Sequence, residues 1–229
     1  MDETIKALKA QGIIKQREDD KFTLRLRIVG GRLNACSLKV IENVAERYGS
    51  VHLHLTSRQG VEIPGIVLAD LDAARTALAD AGLELAAPGN RVRNIVACPG
   101  GSCKNSHIDA QAIAQELDKR VGRREGLPHK CKIAITGCPN SCVHTLCNDI
   151  GIVGSGRGTC AVFVGGKLGK KPRTADCLPA KVAEGEELYG LVESIIDWYE
   201  AHGETKERFG FTLDRLGTGS LVEALDGQG

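Results

Sequence analysis

The chain has 229 residues, 42% apolar and 26% charged, with a formal net charge of +1; this balance fits a folded protein of one or two domains and excludes a disordered or collagen-like chain. No apolar run approaches the ~18 residues needed to cross a bilayer. The start, Met1-Asp2-Glu3-Thr4-Ile5-Lys6, lacks the basic and apolar character of a secretory signal, so a cytoplasmic protein is expected.

In chain order, residues 1–15 predict a short helix with Ile5, Leu8 and Ile13 on its apolar face. Residues 23–29 alternate, Leu24, Leu26 and Ile28 on one side and Arg25 and Arg27 on the other, which predicts a half-buried strand. Leu38, Ile41, Val44 and Ala45 predict a helix stopped at Gly49. Val51, Leu53 and Leu55 alternate with His52 and His54 in a second strand, and residues 59–63 predict a third, turned at Pro64-Gly65. Leu71, Ala74, Leu78 and Ala81 mark a helix stopped by Gly82. This order of strands and helices resembles a ferredoxin-like half-domain over residues 1–87, an α+β arrangement.

The boundary falls in residues 86–90, around Pro88-Gly89. In residues 88–229, a strand over 92–97 leads into Cys98, and Ser106 with Asp109 reads as a capping box for a helix through Arg120. Strands follow over 131–136, 150–153 and 161–164. Gly154-x-Gly156-x-Gly158 lacks the setting of a dinucleotide fingerprint and reads as a hairpin turn. Leu188, Leu191, Val192 and Ile195 give a long amphipathic helix, with a shorter one over 206–216.

The small net charge hides a segregation. Residues 90–173 hold 14 Lys and Arg against 5 Asp and Glu, a net of +9, and the remainder carries −8. Seven of the nine cysteines lie in that basic segment. Cysteine is about 4% of the chain, below the ~8–10% of disulfide scaffolds, so metal or redox chemistry is the expected use. Cys98 and Cys103 form one pair and Cys138 and Cys142 another, each expected after a strand in a turn opening a helix. Four thiolates suit a [4Fe–4S] cluster or a tetrahedral zinc, and the residues alone leave both readings open, along with unligated cysteines. Arg91 with Arg93, and Lys130 with Lys132, share strand faces by period two. Such pairs repel unless an anion lies between them. No aromatics interleave with these cations, which argues against nucleic acid.

Cys98-x4-Cys103 followed by Gly137-Cys138-Pro139-Asn140-Ser141-Cys142 resembles the signature of the sirohaem–[4Fe–4S] sulfite and nitrite reductases. The stretches 24–31, Thr56-Ser57-Arg58-Gln59, Arg93-Asn94, 127–132, Asp149-Ile150-Gly151, Gly165-Gly166 and Pro172-Arg173 agree in order. The nearest likeness is to the small anaerobic and assimilatory-type sulfite reductases, with one copy of the family repeat: a ferredoxin-like half followed by a sirohaem and [4Fe–4S] α/β domain. The family's first cysteine pair usually encloses five residues, and this one encloses four.

The resemblance implies that Cys98, Cys103, Cys138 and Cys142 hold the cluster, with Cys142 also bridging it to the sirohaem iron. It places Arg27, Arg93, Lys130 and Lys132 around the substrate, Arg58 on sirohaem, and Gly165, Gly166 and Arg173 in a loop at the cofactor's edge. The implied reaction is the six-electron reduction of sulfite to sulfide, with nitrite to ammonia as the nearest alternative. From another class, the alternative is a zinc-stabilised module that binds an anionic partner without catalysis. No inserted ferredoxin-type cysteine run is present, so an external low-potential donor such as a ferredoxin is expected. Either one chain holds the whole site, or a homodimer shares it. Cys36, Cys131, Cys147, Cys160 and Cys177 read as buried small hydrophobes, and His52, His54 and His144 as structural.

Overall fold

The computed structural model describes residues 3–227. The chain divides into two compact units, Met1–Gly89 and Asn90–Gly229.

The first unit opens with α1 (Glu3–Ala10). Ile13 does not continue that helix. Gly12 takes a φ of 88°, and a Cβ there would lie 2.9 Å from the Leu85 Cβ, so the chain turns and Ile13 is buried at the start of β1 (Ile13–Lys15). Next come β2 (Lys21–Arg25), α2 (Ala35–Tyr48), β3 (His54–Leu55), β4 (Val61–Val67) and α3 (Leu71–Asp80). The strands form an antiparallel sheet in the order β1-β2-β4-β3. Leu24, Leu26 and Ile28 are buried and Arg25 and Arg27 half-buried, as the alternation requires, although the paired strand stops at Arg25. Ile41, Val44 and Ala45 of α2 and Leu71, Ala74 and Leu78 of α3 share one core with them.

Three further expectations fail here. Leu38 is exposed on α2. Only His54 and Leu55 pair in the 51–55 stretch, and Val51, Leu53 and Leu55 are exposed. Pro64-Gly65 does not end a strand: β4 runs through it, and the register of β2 on β4 shifts between Phe22 and Leu24 to absorb the irregularity.

The second unit holds β5 (Val96–Ala97), α4 (Ala110–Val121), β6 (Ile133–Thr136), β7 (Ile150–Gly156), β8 (Thr159–Val164), β9 (Asp176–Ala183), α5 (Glu186–His202), α6 (Phe209–Leu216) and α7 (Thr218–Asp226). The sheet order is β5-β6-β7-β8-β9, parallel across β5-β6-β7 and antiparallel beyond. β7 and β8 form a hairpin through Arg157-Gly158, the role expected of the glycine-rich stretch. The helix α4 is capped by Asp109, whose Oδ1 accepts the Gln111 and Ala112 N–H groups at 3.1 Å. Ser106 takes no part in that cap; its hydroxyl donates to the Ile108 carbonyl at 2.7 Å.

Candidate functional site

The parallel pair β5 and β6 places the two cysteine turns side by side. Cys98 follows β5 directly, and its N–H donates to the Ile135 carbonyl at 3.0 Å. Its Sγ accepts the Gly137 N–H at 3.1 Å, which joins the first turn to the second one residue before Cys138. Neither pair opens an α-helix, contrary to expectation. A 3-10 turn at Gly100–Ser102 precedes Cys103, and α4 begins only at Ala110; a 3-10 turn at Thr145–Cys147 follows Cys142. The thiols lie instead beyond the carboxyl ends of adjacent parallel strands, the edge at which open α/β sheets bind ligands. Cys98 and Cys138 are buried, Cys103 is partly exposed and Cys142 is exposed, and all nine cysteines are free thiols. Cys160 is buried, and that burial pushes its thiol up to about 12, so it stays protonated. Cys36 and Cys177 are exposed and Cys147 is half-buried, which corrects the expectation of five buried bystanders; Cys131 and Cys160 do meet it.

The cations gather at the other end of β6. Lys130 and Lys132 precede it, and Cys138 follows it. Val92 bridges Cys131 in parallel, and the Arg93 N–H donates to the Cys131 carbonyl at 2.8 Å, which sets Arg93 beside the lysines. Lys130 makes no ion pair among the described residues. Burial, then the charges of Arg208, Arg93 and Lys167, hold its ammonium below the ordinary lysine range, with Asp149 opposing them. His129 is pulled down by burial and by Lys130, Arg208 and Arg93, and its Nδ1 is buried without a hydrogen-bond partner. Arg91 does not join this group: Glu125 takes its guanidinium at 2.6 Å.

Arg27 and Arg58 belong to the first unit. Leu26 N–H donates to the Val61 carbonyl at 2.7 Å, and the turn from Thr56 to Gly60 is closed by bonds of 2.9 and 3.0 Å between those two residues. Arg58 is therefore carried on a tight turn next to the stretch after β2 that bears Arg27. Arg25 pairs with Glu62 at 2.7 Å, and the same carboxylate takes His54 Nδ1 at 2.7 Å. His52 Nδ1 lies 2.9 Å from the Ser50 carbonyl. These two histidines are structural.

Gly165 and Gly166 follow β8 in a packed interior. A Cβ on Gly166 would lie 2.3 Å from the Leu146 carbonyl oxygen and 2.7 Å from that of Asn148. Arg173 is committed to the protein: Nε binds Asp214 at 2.8 Å, Nη2 binds Asp176 at 2.7 Å, and Nη1 donates to the Gly165 and Thr174 carbonyls. In this structure it braces the loop that carries Gly165 and Gly166. Arg208 carried no local signal in the sequence. It reaches the cation group only through the fold, from the start of α6 to Asp149, 59 residues away in sequence.

The family model for the nitrite and sulphite reductase 4Fe-4S domain matches residues 88–228, and that for the nitrite/sulfite reductase ferredoxin-like half domain matches residues 14–81. The chain belongs to the nitrite and sulphite reductase family. A component of the anaerobic sulfite reductase of Salmonella typhimurium is 33% identical over 166 residues, covering 62% of this chain and 48% of that protein. The assimilatory ferredoxin-dependent nitrite reductase of Haloferax mediterranei is 27% identical over 246 residues, covering 95% and 42%. The Mycobacterium tuberculosis NirA protein has the same fold, with a TM-score of 0.87 at 23% identity over all of this chain and 47% of that one. This chain spans about half the length of the curated relatives it matches. Members of this reductase family are oxidoreductases acting on sulfite or nitrite, with a [4Fe–4S] cluster and sirohaem as cofactors.

The residues present fit both groups. Four free thiols lie on two adjacent turns, Cys98 and Cys138 buried, Cys103 partly exposed and Cys142 exposed. A [4Fe–4S] cluster takes one thiolate on each of its four irons, the number these two turns supply. Sirohaem is rich in carboxylates, and the second unit offers Arg93, Lys130 and Lys132 around one strand end, with the orphaned His129 Nδ1 among them. No helix of the described residues is long and apolar enough to cross a membrane.

Proposed function

We propose that this reductase is a sulfite reductase, carrying sulfite to sulfide by six electrons. The observation that carries the reading is the half-buried Lys130 ammonium, with no ion pair among the described residues, amid the like charges of Arg93, Arg208 and Lys167, just ahead of the strand that leads to Cys138. A buried cation set against other cations is stabilised by a bound anion, and a dianion gains more than a monoanion. That favours sulfite over nitrite.

In this reading Cys98, Cys103, Cys138 and Cys142 would hold the cluster, Cys142 on the side that sirohaem would occupy, while Arg58 and the Gly165–Gly166 turn braced by Arg173 would hold sirohaem. Bound together, the cluster and sirohaem would supply low-potential electrons one at a time at the substrate. The chain's own part is electrostatic. Arg27, Arg93, Lys130 and Lys132 bind and orient the oxyanion and neutralise its charge, and Lys130, whose ammonium gives up its proton more readily than an ordinary lysine, delivers protons to its oxygens. Electrons come from an external low-potential donor such as a ferredoxin, in the cytoplasm. Because the lysines and the cysteines flank opposite ends of β6, a second copy of the chain belongs to the reading, with cations of one chain facing the cofactor of its partner.

Anaerobic purification with iron, labile sulfide and zinc analysis, a visible spectrum and steady-state rates on both anions with a reduced viologen dye test this. Cluster and haem absorption with a higher kcat/KM for sulfite is the expected result. Cys142→Ser loses the coupled spectrum, and Cys177→Ser leaves it unchanged. A colourless protein with one zinc, or equal effects of the two substitutions, sinks the reading; a higher kcat/KM on nitrite moves it to nitrite reduction. The elution mass of the same preparation decides the assembly, a single-chain mass removing the second copy.

A further inference from the structure

Asp149 is fully buried just ahead of β7, in a place where a carboxylate is costly. Its Oδ2 accepts the Lys132 N–H at 2.9 Å. Arg208 Nη2 donates to Oδ1 at 2.8 Å and to Oδ2 at 2.7 Å. The Asp149 carbonyl accepts the Gly165 N–H at 2.8 Å, and the next N–H, of Ile150, donates to the Lys132 carbonyl at 3.0 Å. One residue thus ties together the lysine segment ahead of β6, the Gly165–Gly166 turn and the start of α6.

The side-chain bond is the unusual one. On its other flank the lysine segment is joined main chain to main chain, Cys131 N–H to the Arg91 carbonyl at 3.0 Å and Arg93 N–H to the Cys131 carbonyl at 2.8 Å. On the β7 flank the carboxylate fills the slot that a main-chain carbonyl would occupy in a continued parallel ladder. Arg208 in turn fixes the carboxylate, and both residues are shielded from solvent, with side-chain exposures of 10% for Arg208 and 0% for Asp149.

We propose that Asp149 is a positioning residue for the reductase reaction: it locks the Lys132 peptide and the Gly165 turn in one frame, so that Lys130 and Lys132 meet the substrate in a fixed geometry. This rests on the reading of those lysines as substrate cations. A purely structural ion pair would be replaceable by any pair that keeps the fold, because apolar residues of similar volume commonly substitute for a buried pair without loss of stability. A positioning carboxylate is replaceable only by a group that still accepts the Lys132 N–H.

Two double variants separate these roles. Asp149→Asn/Arg208→Gln keeps an acceptor for the amide and removes both charges together. Asp149→Leu/Arg208→Met removes the charges and the acceptor. The expected result is that the apolar pair melts near the wild-type temperature and retains its cofactor spectrum, yet loses 10–100-fold in kcat/KM for sulfite, about the effect of removing a supporting hydrogen bond at a reactive site. The amide pair recovers at least tenfold over it. Sulfite affinity measured by spectral titration without donor follows the same order. Should the apolar pair fail to fold, Asp149→Ser/Arg208→Gln, too short to reach the amide, replaces it with the same expected loss. Equal kcat/KM and sulfite affinity for the acceptor-bearing and acceptor-lacking pairs would overturn the proposal. Lys132→Ala is run alongside: if it leaves the sulfite KM and affinity unchanged, the substrate reading of the lysines has failed, and if it changes them while the acceptor-lacking pair does not, only the role of Asp149 has.

Discussion

A single methyl group tests how tightly the turn at residues 165 and 166 is held. Gly166 faces two main-chain carbonyl oxygens closer than any Cβ could tolerate, those of Leu146 and Asn148. Both belong to the segment that follows Cys142 and leads into Asp149, so neither can yield without moving a functional stretch. Overpacking in such a place costs about 1–3 kcal/mol. Gly166→Ala is expected to lower the unfolding free energy by that amount, seen as a lower urea midpoint at unchanged slope, and to loosen cofactor retention, because the displaced carbonyls lie in the segment between Cys142 and Asp149. An unchanged midpoint would mean that the segment is soft. At this scale the sequence showed which residue types mattered but not what each touches. Spacing singled out the four cysteines and left cluster, zinc and unligated thiols all open. The ion pairs of Arg173 were not legible, because nothing local reveals that Asp176 and Asp214 meet its guanidinium.

The elements divide by how local their causes are. Strand β2 was legible because Leu24, Leu26 and Ile28 alternate with arginines and one face is covered by α2 and α3. The stretch 51–55 has the same alternation, yet its apolar side faces solvent, with Leu55 74% exposed; period two reports a face and says nothing about whether anything covers it. Strand β9 was missed because it is a sheet edge with Pro179 inside it, a residue that edge strands admit and the alternation rule penalises. The start of α4 shows two local signals competing. Ser106 and Asp109 both suit a cap, and the fold uses Asp109 because the Ser106 hydroxyl bonds the Ile108 carbonyl beside Gly137. Asp109→Ala should therefore cost about 1 kcal/mol (range ~0.5–2) through loss of the two N–H bonds. Urea unfolding checks this. A loss near zero would mean that the first turn of α4 is frayed in solution.

At the scale of the molecule, the near-zero net charge is two populations of cations sorted by the fold. Much of the +9 segment is neutralised by the acidic remainder returning to it within the second unit. Arg120 meets Glu186, Arg124 meets Asp197 and Glu200, and Arg173 meets Asp214. Lys130 is left outside this pairing, and the cost of keeping it charged there falls on the folded state. A ligand that supplies the missing negative charge should repay that cost. The cofactor-free chain is therefore expected to melt higher in sulfate or phosphate than in chloride at equal ionic strength. Saturation at ten times Kd adds about 1.4 kcal/mol, roughly 3–6 °C for a protein of this size. Sulfate also stabilises proteins generally by exclusion, so the decisive comparison is Lys130→Met. That variant should melt at or above wild type in chloride and lose the added increment in sulfate. The pH dependence has a fixed sign. Burial and like charges lower the ammonium's pKa in the folded state, so the sulfate increment fades, as pH rises, earlier than an ordinary lysine would allow. An increment that survives in Lys130→Met would place the anion elsewhere and remove Lys130 from the binding set.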